Sequence, residues 1–278
     1  MRIKKWLLTL VALIVLLPIV LTALYSFFPK TEIAALLKSR NNFDLSVWMP
    51  LTLSPSMVSL SQHYTVLIED PAVLKLLCNS LLYTLATLVL QALFIPMFSF
   101  ALAKMRFFGR GLLSFLVVCL MILPFQVTMA PNVLTLRYLG LLGSPWAVIL
   151  PMAFSPFYIF LLRQFMLALP SEMLEASAVD GAGALRTFFW IALPPCRPVL
   201  GAAVALSFAD LWNMVEQPLL YLSGHDDLMP LSVMFNQLSE KNAEIAFAGA
   251  TLYIIPAVLV YLYFQKDIEA GIQLSELK

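Results

Sequence analysis

Residues 76–103 read LLCNSLLYTLATLVLQALFIPMFSFALA, and this stretch decides the fold class of the chain. It carries no charged side chain from end to end. An α-helix needs about 20 predominantly apolar residues to cross the hydrocarbon core of a bilayer, whereas shorter apolar runs are typical of helices buried in soluble domains. The stretch therefore predicts a membrane-spanning helix.

Further apolar stretches of similar length occur along the chain. Those without a charged residue are 6–28, 111–136, 138–162 and 245–265. One more, 198–222, is apolar apart from Asp210 and Glu216. We therefore expect an all-α, polytopic membrane protein with six transmembrane helices.

The composition agrees with a membrane protein. Of the 278 residues, 61% are apolar and only 12% are charged, about half the charged share of a typical soluble domain. The mean hydropathy is +0.89. These values exclude a disordered chain and an ordinary soluble enzyme, since a soluble fold needs a polar exterior. The net charge of +1 gives no field that would attract nucleic acid.

Cysteine and histidine give no sign of a disulfide framework or a metal site. The three cysteines, Cys78, Cys119 and Cys196, lie far apart in the sequence. None of them has the spacing of a metal ligand, and two histidines are too few for a histidine-rich site. We expect no metal in this chain.

The distribution of Lys and Arg predicts the orientation in the membrane. If both termini are cytoplasmic, eleven of the 17 Lys and Arg residues lie inside, which is the usual bias. Basic residues at Arg2, Lys4 and Lys5 precede the first apolar stretch, as they also do in a signal peptide. The run at 6–28 is longer than a typical signal core, so we favour an uncleaved span over a cleaved signal.

The cytoplasmic segment 168–197 is too polar and too interrupted to cross the membrane. We predict a helix that starts at Ser171 as N-cap residue and breaks at Asp180–Gly181. A second helix follows, with one apolar face. That face is predicted from the spacing of Leu185, Phe188, Phe189 and Ala192. Such a helix pair suits docking of a partner, but it is equally compatible with a loop that tucks under the bundle.

Two spans carry polar side chains at helical spacing. On the second span they are Ser80, Thr84, Thr87 and Gln91, and on the fifth they are Ser207, Asp210, Asn213, Gln217 and Tyr221. Polar groups inside a membrane face the bundle interior or a wet cavity. The stripes therefore predict either a path for a hydrophilic solute or hydrogen bonds between helices. For the path we select Thr87, Gln91, Asp210, Asn213 and Gln217.

The cytoplasmic segment also carries a motif. Residues 175–182 read EASAVDGA, and residues 191–194 read IALP. This pattern closely resembles the "EAA" loop of binding-protein-dependent ABC importer permeases, with Ser177 where the family has alanine. Further matches follow the family order: NSL at 79–81, RFFGR at 106–110 and WN at 212–213.

The resemblance covers about residues 75–270. Over this range the chain is similar to the MalG-like permeases of carbohydrate importers. It implies the type I ABC importer permease fold, called MetI-like. The implied division is an N-terminal transmembrane helix (1–28), a first outer loop (29–75), a permease core of five helices (76–265) and a cytoplasmic tail (266–278). The core contains the coupling loop 168–197. In the tail, Asp267 and Ile268 replace the usual aromatic residues.

The same resemblance implies the function and the partners. The chain would be a permease, not an enzyme, in a bacterial plasma (inner) membrane. It would work with an ABC ATPase dimer, a second and different permease, and a periplasmic or lipid-anchored solute-binding protein. The solute would be a sugar or sugar derivative. ATP and magnesium would be bound by the ATPase, and this chain would bind no cofactor; its sequence has no G-x-x-x-x-G-K-[ST] motif.

Within the loop, the resemblance implies ATPase contact by five residues: Glu175, Ala176, Ser177, Asp180 and Gly181. The glutamate would supply a charged contact, the small residues would permit close approach, and the glycine would permit a sharp turn.

Two other classes remain as alternatives. An ATPase-independent carrier or channel for a small polar solute would also show polar stripes, but no inverted repeat or selectivity loop is evident. A membrane phosphatidyl-alcohol transferase would begin D-G-x-x-A-R. Here Asp180-Gly181 is followed by Ala184-Leu185, so the spacing does not fit.

Overall fold

The computed structural model describes residues 2–41, 52–69, 71–233 and 245–276. These residues form helices and turns, with no strand among them. The first helices are α1 (Arg2–Tyr25), α2 (Lys30–Asn41) and α3 (Ser61–Tyr64), which continues as a π-helical turn, Thr65–Glu69. Next come α4 (Pro71–Lys104), α5 (Arg110–Ile122), α6 (Phe125–Tyr138), α7 (Pro145–Ala153) and α8 (Pro156–Leu167).

The second half of the chain contains shorter pieces and one long helix. These are α9 (Ser171–Val179), α10 (Ala184–Thr187) with a π-helical turn (Phe188–Ala192), a 3-10 turn (Pro194–Cys196), α11 (Arg197–Trp212) and α12 (Glu216–Tyr221). A second 3-10 turn, Asp226–Leu228, precedes the last helix, α13 (Ala246–Glu276). The helix thus continues into the predicted cytoplasmic tail.

The chain divides into two compact units. The N-terminal unit comprises Met1–Asn79 and Met229–Pro256, and the core unit comprises Ser80–Leu228 and Ala257–Lys278. Two of the three boundaries fall inside the long helices α4 and α13, and the third follows the 3-10 turn that ends at Leu228.

In the N-terminal unit, a small core closes the end of α1. It consists of Tyr25, Phe28 and Ile33, which are 7%, 0% and 1% exposed. The Gln62 side chain reaches this core and donates its Nε2 hydrogens to the carbonyl oxygens of Tyr25 and Phe28, each at 2.8 Å. Tyr25 is the last residue of α1 and Phe28 lies in the turn that follows it, where backbone acceptors lack intrahelical partners. One glutamine therefore binds both carbonyls.

In the core unit, four helices share an apolar cluster. It joins α4, α5, α8 and α11 through Ile95, Leu102, Val117, Tyr158, Ile159, Leu162, Val199 and Ala203. A second cluster brings the end of α4 and α8 against the segment after α10, through Phe100, Ala103, Met166, Phe188, Ala192 and Cys196. The coupling loop is thus attached to the helices by apolar packing.

Among the residues that the structure describes, four helical stretches are long and apolar enough to cross a membrane: Trp6–Tyr25, Pro71–Lys104, Pro145–Leu167 (α7 and α8 together) and Ala246–Ala270. Two bent helix pairs raise the number to six if each pair counts as one span. The structure thus supports a polytopic helical protein, while the count of six stays a prediction.

The predicted third span, 111–136, is not one straight helix. Helix α5 ends at Ile122, and α6 begins at Phe125 after a bend of 111°. Pro124 lies between them in an extended conformation, with φ −67° and ψ 149°. Proline lacks the N–H that would continue the helix and disfavours helical backbone before it, which explains the break.

The predicted fourth and fifth spans also have different bounds. The fourth begins at Pro145 rather than Tyr138, because Gly140 and Gly143 adopt positive φ (67° and 74°) and form turns there. The fifth does not extend to Leu222 as one helix, since α11 ends at Trp212. At its other end, α11 joins the preceding helical segment through a bend of 45°.

Gly201 on α11 provides a test of packing in the core unit. A Cβ there would lie 2.7 Å from the Cβ of Asp267 on α13, and that atom cannot swing away. We expect Gly201→Ala to destabilise the purified protein by about 2 kcal/mol, as overpacking does, and to lower its thermal unfolding temperature. Gly111→Ala on α5 is the matched control, since its Cβ would meet nothing within 4 Å. Equal unfolding temperatures for the two variants would contradict this packing.

Candidate functional site

The coupling loop begins with α9 directly after Pro170. Pro170 is the N-cap residue, with φ −57° and ψ 135°, and no side chain caps the helix. The prediction that Ser171 is the N-cap was wrong by one residue, because the proline itself holds the extended backbone that an N-cap requires. Glu172 lies in the first turn, where a carboxylate interacts favourably with the helix dipole.

The end of α9 confirms the predicted break at Asp180–Gly181. Gly181 has φ 75°, a conformation that glycine adopts without strain. The N–H of Ala182 donates to the Ser177 carbonyl at 2.9 Å, and that of Gly181 donates to the Ala178 carbonyl at 3.1 Å. These two bonds form a Schellman motif. The motif stops the helix and fixes the direction in which the chain leaves it.

Ser177, which departs from the family pattern, joins the two helices of the loop. It is 3% exposed. Its Oγ lies 2.7 Å from the Leu174 carbonyl oxygen and 3.1 Å from Oγ1 of Thr187 on α10. An alanine could not make these contacts. The substitution therefore adds a polar contact between α9 and α10 while keeping the side chain small.

The segment after α10 does not present the predicted apolar face. Phe188 and Ala192 are buried, but Leu185 and Phe189 are 63% and 49% exposed. The π-helical turn at Phe188–Ala192 explains the difference, because its i→i+5 bonds change the angular spacing of side chains from that of an α-helix.

The outer surface of the loop combines carboxylates with large apolar groups. Among the predicted coupling residues, Glu175, Ala176, Asp180 and Gly181 are exposed, and Ser177 is buried. The exposed apolar side chains on the same segment are Met173, Val179, Leu185, Phe189 and Trp190. A surface of this kind favours association with a protein partner.

A polar network crosses the core unit at the level of Gln91. The Gln91 Nε2 donates to the Met152 carbonyl at 2.7 Å. In a regular helix that carbonyl would accept from residue 156, but Pro156 has no N–H. The Gln91 Oε1 accepts a hydrogen bond from the Ser207 hydroxyl. Gln91 thus satisfies the carbonyl left open at the α7–α8 break and ties α4 to α11.

The network continues to Asp210 through a residue that sequence reasoning missed. Tyr158 on α8 lies beside Ser207 and donates its hydroxyl hydrogen to Asp210 Oδ2 at 2.7 Å. Tyr158 is 5% exposed, whereas Asp210 is exposed. A tyrosine in an apolar span was a possible signal, since its hydroxyl needs a partner when buried. Because Tyr158 and Asp210 lie far apart in the sequence, the sequence alone does not indicate their hydrogen bond.

Gln91 and Tyr158 also line a small open cleft. Its remaining lining is apolar: Leu88, Ala92, Ile95, Pro96, Leu162, Leu200, Ala203 and Val204. The cleft lies beside the Gln91–Tyr158–Asp210 network and gives it a partly apolar wall.

The other predicted pathway residues do not join this network. Thr87 is fully buried, and its hydroxyl has no hydrogen-bond partner among the described residues. Asn213 follows the end of α11, where its Nδ2 donates to the Ala209 carbonyl at 2.9 Å. Gln217 lies on the separate helix α12. The predicted stripe on the fifth span is therefore divided between two helices.

The site offers no metal-binding cluster. Within the described ranges, no group of three His, Cys, Asp or Glu side chains is placed to hold a metal ion. The arrangement is suited to hydrogen bonding with a polar solute and to contact with a protein partner.

Comparison with known proteins identifies related chains. A family model described as "Binding-protein-dependent transport system inner membrane component" matches residues 92–273. The arabinooligosaccharides transport system permease protein AraQ of Halalkalibacterium halodurans is 31% identical over 283 residues, covering 99% of this chain and 97% of the relative. The diacetylchitobiose uptake system permease protein NgcG of Streptomyces coelicolor is 29% identical, covering 76% and 72%.

A third relative and a solved structure extend the comparison. The sn-glycerol-3-phosphate transport system permease protein UgpE of Yersinia pestis is 31% identical, covering 72% of this chain and 73% of the relative. A chain from the crystal structure of a bacterial ABC transporter involved in the import of the acidic polysaccharide alginate has the same fold, with a TM-score of 0.79. It is 24% identical, and the match covers 95% of both chains.

The Schellman end of α9 can be tested by substitution. We expect Gly181→Ser to strain the left-handed backbone by about 1–2 kcal/mol and to speed amide hydrogen exchange in α9 and α10 by about 5- to 30-fold. Gly183→Ser is the matched control, because Gly183 has φ −71° and open space around it. Equally slow exchange in both variants would show that the glycine conformation does not hold the loop.

Proposed function

Because the chain belongs to the family of binding-protein-dependent transport system inner membrane components, we propose that it is the transmembrane permease subunit of an ATP-driven importer of sugars or sugar derivatives. The observation that carries the proposal is the exposed helix α9, with its EASAVDGA motif, inside the region that matches the family. The relatives named for arabinooligosaccharides, diacetylchitobiose and glycerol phosphate support a hydroxyl-rich solute.

The proposed assembly contains four kinds of component besides the bilayer. This chain pairs with a second, different permease. An ABC ATPase dimer binds ATP and magnesium and supplies the energy, since this chain has no phosphate-binding loop of its own. A periplasmic or lipid-anchored protein delivers the solute. Both termini and α9 face the cytoplasm, in a bacterial plasma (inner) membrane, as the Lys and Arg distribution indicates.

Coupling proceeds through α9 as a short rigid lever. Its exposed surface presents Glu175 as a charged contact to the ATPase, and Ala176 permits close approach. The Schellman end at Gly181 and the Ser177–Thr187 contact fix α9 to α10. Phe188 and Ala192 then anchor the loop in the apolar cluster with α4 and α8. Displacement of α9 therefore moves packed helices as a body rather than bending a flexible loop.

The solute path is centred on the exposed carboxylate of Asp210. The Tyr158 hydroxyl occupies one of its oxygens, which leaves acceptor capacity for a sugar hydroxyl. Gln91 and Thr87 lie on the adjoining helix α4, and Asn213 and Gln217 follow the carboxylate along the chain. Hydrogen-bonding groups beside an apolar wall suit a neutral sugar, which has both hydroxyls and apolar C–H faces.

The coupling role predicts the effect of charge reversal on α9. In proteoliposomes with the cognate ATPase and binding protein, we expect Glu175→Lys to reduce solute-stimulated ATP hydrolysis at least about tenfold, the effect of about 1.4 kcal/mol. Gly181→Pro should do the same without preventing membrane insertion. Glu269→Lys on α13 makes the same charge change at another exposed position and should leave hydrolysis unchanged. Unchanged solute-stimulated ATP hydrolysis in both loop variants would contradict the proposed role of α9 as a lever.

The path predicts the effect of removing the carboxylate. We expect Asp210→Ala to lower solute uptake by about tenfold, since loss of a hydrogen bond to a charged group costs about 1.5–3 kcal/mol, while basal ATP hydrolysis continues. Tyr158→Phe should have a smaller effect of the same kind, because the carboxylate remains but loses its orienting donor. If Asp210→Ala and Asn213→Ala both transport with unchanged affinity and rate, these residues are structural.

A further inference from the structure

The segment 52–69 in the N-terminal unit exposes large apolar side chains. They are Leu53, Met57, Val58, Leu60, Tyr64, Leu67 and Ile68, each between 43% and 72% exposed. Soluble proteins rarely present so many large apolar groups on one short segment, and such surfaces mark contact with a partner or a membrane.

The helical part of this segment has apolar groups facing outward as well as inward. Gln62 and Val66, four residues apart, are buried at 0% and 2% exposure. Leu60, Tyr64 and Ile68 share the same spacing of four but are offset by two residues. These three side chains are 62%, 54% and 65% exposed, so they lie on the outer side of the segment, away from the buried Gln62 and Val66.

The segment is fastened to the end of α1. The Gln62 side chain donates to the carbonyls of Tyr25 and Phe28, and the Ser59 N–H donates to the Phe27 carbonyl at 2.8 Å. Helix α1 contains the span Trp6–Tyr25, whose most apolar stretch of 18 residues has a mean hydropathy of 2.9 and no buried residue. A membrane-spanning helix of this length holds these exposed side chains at the level of the hydrocarbon core. The segment is consequently attached at the level where the span leaves the hydrocarbon.

The charges of the segment do not oppose contact with lipid. Its only acidic or basic residue besides His63 is Glu69, which pairs with Lys30 at 3.5 Å. A hydrogen bond from Thr65 and the Lys30 ammonium hold the pKa of the Glu69 carboxyl below its usual value. Burial lowers the pKa of the His63 imidazole and so favours its neutral form. The segment 52–69 contains no Lys or Arg, so it has no basic patch that would require anionic lipid.

We propose that residues 52–69 form a monotopic membrane-surface element, which lies in the headgroup region of the bilayer beside the end of α1. Leu60, Tyr64 and Ile68 enter the boundary between headgroups and acyl chains, as the apolar faces of interfacial helices do. The ligand of this surface is the lipid itself. The element continues the apolar surface of the predicted span α1 outward from the hydrocarbon, and it holds the end of that span at a fixed depth.

Spin labels placed on the full chain in phosphatidylcholine nanodiscs test this placement. Single cysteines are introduced at Tyr64 and Ile68 after Cys78→Ser, Cys119→Ser and Cys196→Ala, and at two reference positions. Val15 in α1 is the lipid reference and Thr31 in α2 is the water reference; both are exposed. The measurement is the accessibility of each label to oxygen relative to a water-soluble nickel chelate.

We expect labels at 64 and 68 to favour oxygen, as the label at 15 does, and the label at 31 to favour the nickel chelate. Replacing part of the phosphatidylcholine with anionic lipid should not change the result. Nickel accessibility at 64 and 68 equal to that at 31 overturns the proposal. Shielding of both labels from both reagents also overturns it, since protein and not lipid would then cover the surface.

Hydroxyl-radical oxidation of the unaltered chain in the same nanodiscs gives a second measurement, for the case that a labelled variant does not fold. Met57 is 67% exposed and Met173 on α9 is 39% exposed. In water Met57 should oxidise faster. We expect the opposite order, with at least a severalfold slower reaction at Met57, because the bilayer covers it. Faster oxidation of Met57 than of Met173 counts against the proposal.

Discussion

A backbone carbonyl without a hydrogen-bond donor is costly in a bilayer, and this constraint organises both units of the chain. Helix ends and prolines create such carbonyls. Gln62 supplies donors to two of them at the end of α1, and Gln91 supplies one to Met152, opposite Pro156. Lys104 does the same for Leu169 at 2.7 Å. At each of these three places a polar side chain of this apolar sequence binds a carbonyl at an interruption of the helices.

The proposed coupling loop and the proposed solute path share the same scaffold. Helices α4 and α8 carry Gln91 and Tyr158 at one level, and they pack against Phe188 of the loop at another. A displacement of α9 therefore reaches helices that also hold the Asp210 carboxylate. This connection needs no flexible linker, because the contacts on the way are buried side chains and hydrogen bonds. The two proposed functions of the chain depend on the same helix packing.

The sequence predicts the membrane class, the approximate spans and the end of α9, because each depends on local properties such as apolar length and the conformational freedom of Gly181. It does not predict which prolines break a helix. Pro96 and Pro256 lie inside continuous helices, whereas Pro124 separates two helices. The outcome depends on whether neighbouring elements stabilise the bend. Tyr158 was missed for the same reason, since its partner Asp210 comes close only in the folded chain.

The Gln91–Met152 bond links the identity of one residue to that of another far along the chain. The carbonyl of Met152 is open because Pro156 has no N–H and because the backbone before it is extended at Phe154 and Ser155. In a homologue whose helix continues through an ordinary residue at 156, the intrahelical bond would form, and position 91 would need only to accept the hydrogen bond from Ser207. Proline at 156 and a side-chain donor at 91 should accordingly covary among relatives. Glutamate at 91 should be disfavoured wherever that proline persists, since an ionised carboxylate has no hydrogen to donate.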